Sequence, residues 1–394
     1  MRVDVLSKEY PPEIYGGAGV HVAELVRALR SHIDVVVRCF GAPRDEPGVH
    51  AYPVPDDLTG ANPALVALGT DLRMAKDVIG ADLVHSHTWY ANGAGHLAQL
   101  MHDIPHVVTA HSLEPLRPWK AAQLGGGYRL SSWLEKGAFT SANAVIAVSE
   151  SMRRDILKCY PTIDENRVHV VHNGIDLEHW KPQTDDALLR TLGIDPSRPT
   201  IVFVGRITRQ KGLRYLLRAA GQLPPDVQLV LCAGAPDTEE ILTEVQERVN
   251  ALKASRTGVV WINRLLGVHE LRVVLTAATV FVCPSIYEPL GIVNLEAMAC
   301  GTAVVGTAVG GIPEVVEDGV TGRLVALEQS SDGSGTPTRP TEFVADLART
   351  LTEVVTDPAR ANRMGAAGRM RAQREFGWDR IAARTREIYA AVLA

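Results

Sequence analysis

The chain has 394 residues, of which 46% are apolar and 22% charged, and a formal net charge of −5 at pH 7. That length exceeds one ordinary hydrophobic core, so two domains are expected. The mildly acidic balance excludes a general attraction to nucleic acid or to an anionic membrane, and any phosphate recognition must be local. Five cysteines, Cys39, Cys159, Cys232, Cys283 and Cys300, are scattered and odd in number. They suit buried thiols in the reducing cytoplasm better than disulfides or a zinc site. The N-terminus, M-R-V-D-V-L, enters a strand pattern without the apolar stretch of a secretion signal, so export is not expected. The charge-free run 297–313 is too short to span a bilayer.

Short β-branched runs at 2–6, 34–40, 82–86, 106–111, 144–148 and 168–172 alternate with helix-like stretches. This implies a parallel sheet covered by helices on both faces, with ligands beyond the carboxyl ends of the strands. After the first run comes P-P-E-I-Y-G-G-A-G-V-H-V, where Gly16 and Gly17 permit close backbone approach and a helix from about residue 18 offers its N-terminus. The same glycines also suit a plain turn. The third run leads into H-S-H-T-W-Y-A-N-G. His85 and His87 stand two apart, but no third ligand has matching spacing and no D-x-D pair occurs, so core or loop histidines are expected there, not a metal site. Trp89 and Tyr90 can stack on a sugar ring.

The fourth run ends in V-T-A-H-S-L-E-P-L-R-P-W-K, which puts His111 at a sheet edge facing a cleft. An imidazole there can hydrogen-bond a sugar hydroxyl and polarise a reacting centre. Arg117, Lys120 and Arg129 follow in a Pro- and Gly-punctuated loop and either bind an acceptor phosphate or are solvated surface charges. V-H-N-G-I-D, with Asn173, reads locally as an Asn-Gly turn.

Polar, Pro-bearing residues at 181–199 read as a linker between an N-terminal domain, 1–180, and a C-terminal domain, 200–377. The run T-I-V-F-V-G-R delivers Arg206, and Lys211 follows five residues later at a helix start, so both cations can reach one diphosphate. Further strands at 227–233, 259–262, 280–283, 303–306 and 323–325 imply a second doubly wound sheet. The loop 261–265 is expected beside the 280–283 strand, where Leu265 would line a base pocket. Gly310 and Gly311 either close around a ligand or simply turn the chain.

The stretch C-P-S-I-Y-E-P-L-G-I-V-N-L-E-A-M-A-C-G reads as strand, loop and helix. Glu288 falls in the loop. Glu296 is expected two turns into the helix near the same face, since eight residues make about 2.2 turns. Past Pro289 and Leu290, the N–H groups of Gly291, Ile292 and Val293 would form an anion site at the helix tip. One capping and one solvated glutamate is the plainer alternative. Residues 329–340 form a polar, low-complexity loop expected to be mobile, and 378–394 an amphipathic helix.

The element E-P-L-G-I-V-N-L-E-A-M-A-C-G-T-A-V-V, with G-R-x-x-x-x-K-G at 205–212, N-G-I-D at 173–176 and the strand end at His111, resembles retaining glycosyltransferases of the glycogen synthase and sucrose synthase type, family 4. The likeness runs along nearly the whole chain. It implies an α/β protein of the GT-B fold, two Rossmann-like doubly wound domains facing across a cleft, with the helix 378–394 returning to the first domain. It implies a nucleotide-diphospho-sugar donor held by Arg206, Lys211, Leu265, Glu296 and the 289–293 tip, with Gly16, Gly17 and Asn173 on the other side. His111, Glu288, Arg206 and Lys211 become the catalytic set, with Glu288 on the sugar hydroxyls, though a nucleophile role stays open, and Glu296 on the ribose. Tyr90, Arg117, Lys120 and Arg129 become acceptor ligands, and no metal or other cofactor is implied.

The phrases S-K-E-Y-P-P-E-I-Y-G-G-A-G-V-H-V and H-S-L-E-P-L-R-P-W-K-A-A-Q-L-G-G-G-Y are most similar to actinobacterial glycogen synthase relatives. Those include enzymes that form α-maltose 1-phosphate from ADP-glucose and glucose 1-phosphate, which is the expected reaction. Extension of an α-1,4-glucan from ADP-glucose is the alternative. Polymer-extending synthases have K-T-G-G-L-A-D where this chain has I-Y-G-G-A-G-V, so the Lys is missing beside Tyr15 and Val20 stands in place of the Asp. That departure weighs against glucan elongation as the sole activity. Sugar-nucleotide epimerases and phosphorylases share the architecture and form a different-class alternative. The partners expected are a nucleotide sugar and a phosphorylated sugar or glucan, with no nucleic acid and no membrane. Oligomeric state stays open, a homodimer included.

Overall fold

A computed structural model describes every residue except Ser331 and Gly333. The chain forms two compact units, Met1–Gly174 with Trp378–Ala394, and Ile175–Gly377.

The first unit carries β1 (Arg2–Ser7), β2 (Asp34–Phe40), β3 (Val49–Tyr52), β4 (Leu83–His87), β5 (His106–Ala110), β6 (Ala144–Ala147) and β7 (Val168–Val170). They form one parallel sheet in the order β3-β2-β1-β4-β5-β6-β7. Every residue of β4, β5 and β6 is buried, the mark of strands covered on both faces. The helix Gly17–Leu29 buries Val22, Leu25, Val26 and Leu29 at helical spacing. The helix Trp378–Leu393 buries Ile381, Ile388 and Tyr389 in the same core, which is why the last segment belongs to the first unit. β3 went unseen in the sequence because four residues at a sheet edge, V-H-A-Y, carry too little apolar signal.

The second unit carries β8 (Thr200–Arg206), β9 (Gln228–Gly234), β10 (Val259–Ile262), β11 (Val280–Cys283), β12 (Ala303–Thr307) and β13 (Gly322–Val325). Their order is β10-β9-β8-β11-β12-β13, again parallel. Residues 181–199 lie within this unit and include a helix, Asp186–Thr191, capped by the Asp185 side chain on the Leu188 N–H. Of the loop at 329–340, Ser331 and Gly333 lie outside the described residues, while the Gln329 amide donates to the Ile286 carbonyl at 2.6 Å.

In each sheet the strand order reverses once, between β1 and β4 and between β8 and β11. The crevice at the carboxyl ends of such a strand pair is where open α/β sheets bind ligands. Among the described residues no helix is long and apolar enough to cross a membrane.

Candidate active site

In the second unit the reversal point gathers the expected donor residues. Arg206 is the last residue of β8, and its guanidinium donates to the Asp237 carboxylate at 2.9 Å. Lys211 closes a short turn, Arg209–Lys211, and Gly212 follows with φ +64. The Lys211 ammonium donates to Glu288 Oε2 at 2.7 Å, and the Ser285 hydroxyl donates to the same oxygen at 3.0 Å. Glu288 Oε1 makes no hydrogen bond among the described residues and can take a hydroxyl donor.

Backbone contacts lock this arrangement. The Ile286 N–H donates to the Gln210 carbonyl at 2.8 Å, joining the loops after β11 and β8. A Cβ on Gly212 would sit 1.9 Å from the Pro284 carbonyl oxygen, and one on Gly310 would sit 1.9 Å from that of Glu288. The Gly311 N–H donates to that Glu288 oxygen at 3.0 Å. The Gly310–Gly311 turn therefore supports Glu288 from behind.

Two sequence expectations are corrected here. Gly291, at φ +92, starts the helix Ile292–Ala299 only after the loop, so Glu296 stands about one turn into it and not two. The turn chemistry of Pro289 to Gly291 keeps Glu288 out of the helix, which the eight-residue count had treated as continuous. Second, β10 is separated from β11 by β9 and β8, so Leu265, exposed beyond β10, is not beside the motif strand. Its neighbour Arg264 instead lies against Gly234 at the end of β9.

The N–H groups of Gly291, Ile292 and Val293 donate no hydrogen bond among the described residues. Leu290 is buried, so only its backbone can meet a ligand, and the buried Asn294 amide beneath has neither polar atom paired. The Lys211 pKa is raised: burial disfavours its charge most strongly, but the Glu288 carboxylate with Cys283 and Glu296 together more than offset that. Burial pushes the Glu296 carboxyl up to about 7, with Lys211 pulling the other way.

The Glu296 shift carries a prediction. Its folded value lies above that of an exposed carboxyl, so the unfolded chain releases the proton first. The contribution to stability is present at low pH and is lost as pH rises through about 7. Between about pH 5 and about pH 8 the ligand-free protein should lose thermal stability relative to Glu296→Gln, which does not titrate. Melting curves whose separation does not change with pH would contradict this.

In the first unit His111 follows β5, and its Nε2 lies 3.0 Å from His87 Nδ1. His21, from the helix Gly17–Leu29, packs edge-on against the His111 ring at 4.7 Å. His85 is structural, bridging the Tyr389 hydroxyl at 2.6 Å and the Thr109 hydroxyl at 2.7 Å. Burial lowers the pKa of His21 to about 4 and holds His85, His87 and His111 well below the usual imidazole value. The column is therefore neutral.

Sequence spacing offered no third histidine, yet His21, His87 and His111 bring ring nitrogens within 4.8 Å of one another. The His87 Nδ1–His111 Nε2 contact has hydrogen-bond length, so it also suits a direct hydrogen bond between the two rings. Asn173 lies beside His21 at a geometry too poor to satisfy either side chain. Gly174 is required by the Trp378 ring, 2.5 Å from where its Cβ would be.

The glycine loop differs from expectation at one point. Glu9 Oε2 already accepts from the Tyr15 N–H at 3.0 Å and the Gly16 N–H at 2.9 Å, so Gly16 cannot offer that N–H to a diphosphate while Glu9 stays. The N–H groups of Gly17, Ala18 and Gly19 donate no hydrogen bond among the described residues.

Of the expected acceptor cations, Arg117 turns onto the Ser112 hydroxyl at 2.9 Å with Glu114 at 3.7 Å, Lys120 onto Gln123, and Arg129 is exposed on the helix Gly127–Ser141. Two buried carboxyls brace this loop: the Glu114 N–H donates to Glu135 at 2.8 Å, and the Ser131 hydroxyl to Glu114 at 2.7 Å. Burial pushes Glu135 up to about 8, with Glu114 adding to it. Tyr90 stacks on Trp89 at 4.0 Å. The supporting roles of Glu9, His21, His87, Asp237 and Ser285 rest on contacts that only the fold reveals.

The model of Glycosyltransferase Family 4 matches residues 15–179, and that of Glycosyl transferases group 1 matches residues 185–371. An alpha-maltose-1-phosphate synthase from Mycolicibacterium smegmatis is 56% identical, with both chains covered in full. A glycogen synthase from Mycobacterium tuberculosis is 31% identical over 99% of this chain and 95% of its own. Sucrose-phosphate synthase from Thermosynechococcus elongatus superposes with a TM-score of 0.78 at 24% identity, covering 99% of this chain and 98% of its own. With both halves matched and the whole length aligned, the chain belongs to the GT-B glycosyltransferase family that includes the alpha-maltose-1-phosphate synthases.

Proposed function

We propose that this glycosyltransferase moves glucose, with retention, from ADP-glucose to glucose 1-phosphate, giving α-maltose 1-phosphate and ADP in the cytoplasm. One observation carries the donor half: Lys211, Glu288 and three unbonded helix-tip N–H groups meet at the reversal point of the second sheet. Lys211 has three N–H donors and gives one to Glu288, which leaves two for phosphate oxygens. Arg206 likewise has donors beyond the one on Asp237. Together with the N–H groups of Gly291, Ile292 and Val293 they neutralise the charge that grows on the diphosphate as the anomeric C–O bond breaks. Glu288 Oε1 takes a glucosyl hydroxyl and Glu296 the ribose. Neutral His111, oriented by His87, donates or accepts at a sugar hydroxyl without adding charge. The acceptor hydroxyl gives up its proton to the departing diphosphate as the new C–O bond forms and the old one breaks.

The acceptor half is supported by the relatives: 56% identity to the maltose-1-phosphate synthase against 31% to the glycogen synthase. Incubation with ADP-glucose alone, with glucose 1-phosphate and with glycogen tests it. ADP release should need an acceptor, run faster with glucose 1-phosphate, and yield a disaccharide phosphate by mass spectrometry. Release with glycogen alone would overturn the acceptor. EDTA should leave the rate unchanged, since cations of the chain itself hold the diphosphate; loss of activity restored by a divalent ion would contradict that.

A further inference from the structure

Lys8 is the first residue beyond β1, and β1 and β4 are the strands between which the first sheet reverses. Its ammonium lies 3.9 Å from the ring centre of Tyr90, in the helix after β4, and 5.3 Å from that of Tyr15 in the glycine loop. Among the described residues the Lys8 ammonium has no hydrogen bond and no carboxylate within ion-pair distance. The adjacent carboxylate, Glu9, is committed to the Tyr15 and Gly16 N–H groups. Burial lowers the Lys8 pKa, with Glu9 pulling it back up. Two tyrosine faces stabilise a cation but leave its three N–H donors without an oxygen acceptor. A half-buried ammonium in that state is suited to take an anion.

We infer that Lys8, between Tyr15 and Tyr90, binds the phosphate of the acceptor sugar phosphate. This deepens the reading above and rests on it for the acceptor's identity. It also supplies a cation that Arg117, tied to Ser112 and Glu114, provides less freely.

Lys8→Met keeps the stem and removes the charge; Lys8→Gln serves if that variant does not fold by circular dichroism. Calorimetric titration with glucose 1-phosphate should show Kd raised roughly tenfold or more in the variant, the loss of about one charge-assisted contact. Lys8→Arg should recover most of it, and Kd for ADP should stay within roughly twofold of wild type. In steady state KM for glucose 1-phosphate should rise with little change in kcat. An unchanged Kd, an equal loss of ADP binding, or inorganic phosphate bound as tightly and with the same Lys8 dependence would each overturn the assignment. So would a wild type that binds no glucose 1-phosphate. A wild type that binds it through Lys8 but transfers only to glycogen would sink the proposed reaction and leave the Lys8 site standing.

Discussion

Lys211→Ala is expected to lower kcat by roughly 100-fold or more, the usual cost of removing one placed donor from a developing negative charge. Two losses combine. The diphosphate loses the cation that sits on its side of the loop, and Glu288, only 6% exposed, is left with the Ser285 hydroxyl as its one side-chain partner among the described residues. Initial rates at saturating donor, with ADP affinity measured separately, divide the effect between chemistry and binding. Because Lys211 and Glu288 share one contact, Lys211→Ala combined with Glu288→Gln should cost much less than the sum of the single changes. A Lys211→Ala enzyme as fast as wild type would remove the basis for the donor site.

Gly310→Ala is expected to damage stability and donor binding together. At φ +55 an L-residue pays about 1 kcal/mol in backbone strain, and the new methyl would lie 1.9 Å from the Glu288 carbonyl oxygen, closer than any real contact. The Glu288 loop must move, and the hydrogen bond from the Gly311 N–H moves with it. A total cost of about 2–4 kcal/mol should lower the melting temperature by roughly 5–15 °C for a unit of this size. Gly319→Ala is the matched control, with φ +79 and nothing within 4 Å of its Cβ, and should cost only the strain. If the two variants melt alike and bind ADP alike, the Gly310 turn does not support Glu288.

Both effects turn on pairings the sequence shows only as separate pieces. The alternation of apolar runs with helix-like stretches was legible because burial on both faces of a parallel strand makes a short continuous apolar run, a local signal. The strand V-H-A-Y at 49–52 lies at an edge and lacks it. The helix-tip N–H groups were legible from Pro289 and Gly291, whereas the phase of Glu296 was not, because the αL turn at Gly291 resets the helix start. Leu265 was misplaced because spacing along the chain does not reveal strand order. Gly16 was read as a point of close backbone approach to a diphosphate, and its N–H is already taken by a carboxylate seven residues earlier.

By itself the sequence determined the two doubly wound units, the cations Arg206 and Lys211, and the acidic pair Glu288 and Glu296, since each lies within one strand-loop-helix stretch. Only the tertiary structure decided that Lys211 meets Glu288 across 77 residues, that His21 and His87 flank His111, and that Lys8 faces Tyr90. The reason is the crossover that sets β1 against β4 and β8 against β11: it joins carboxyl ends far apart in the chain, and the entropy of closing such loops is repaid by the buried core as a whole, which leaves no mark at any one residue.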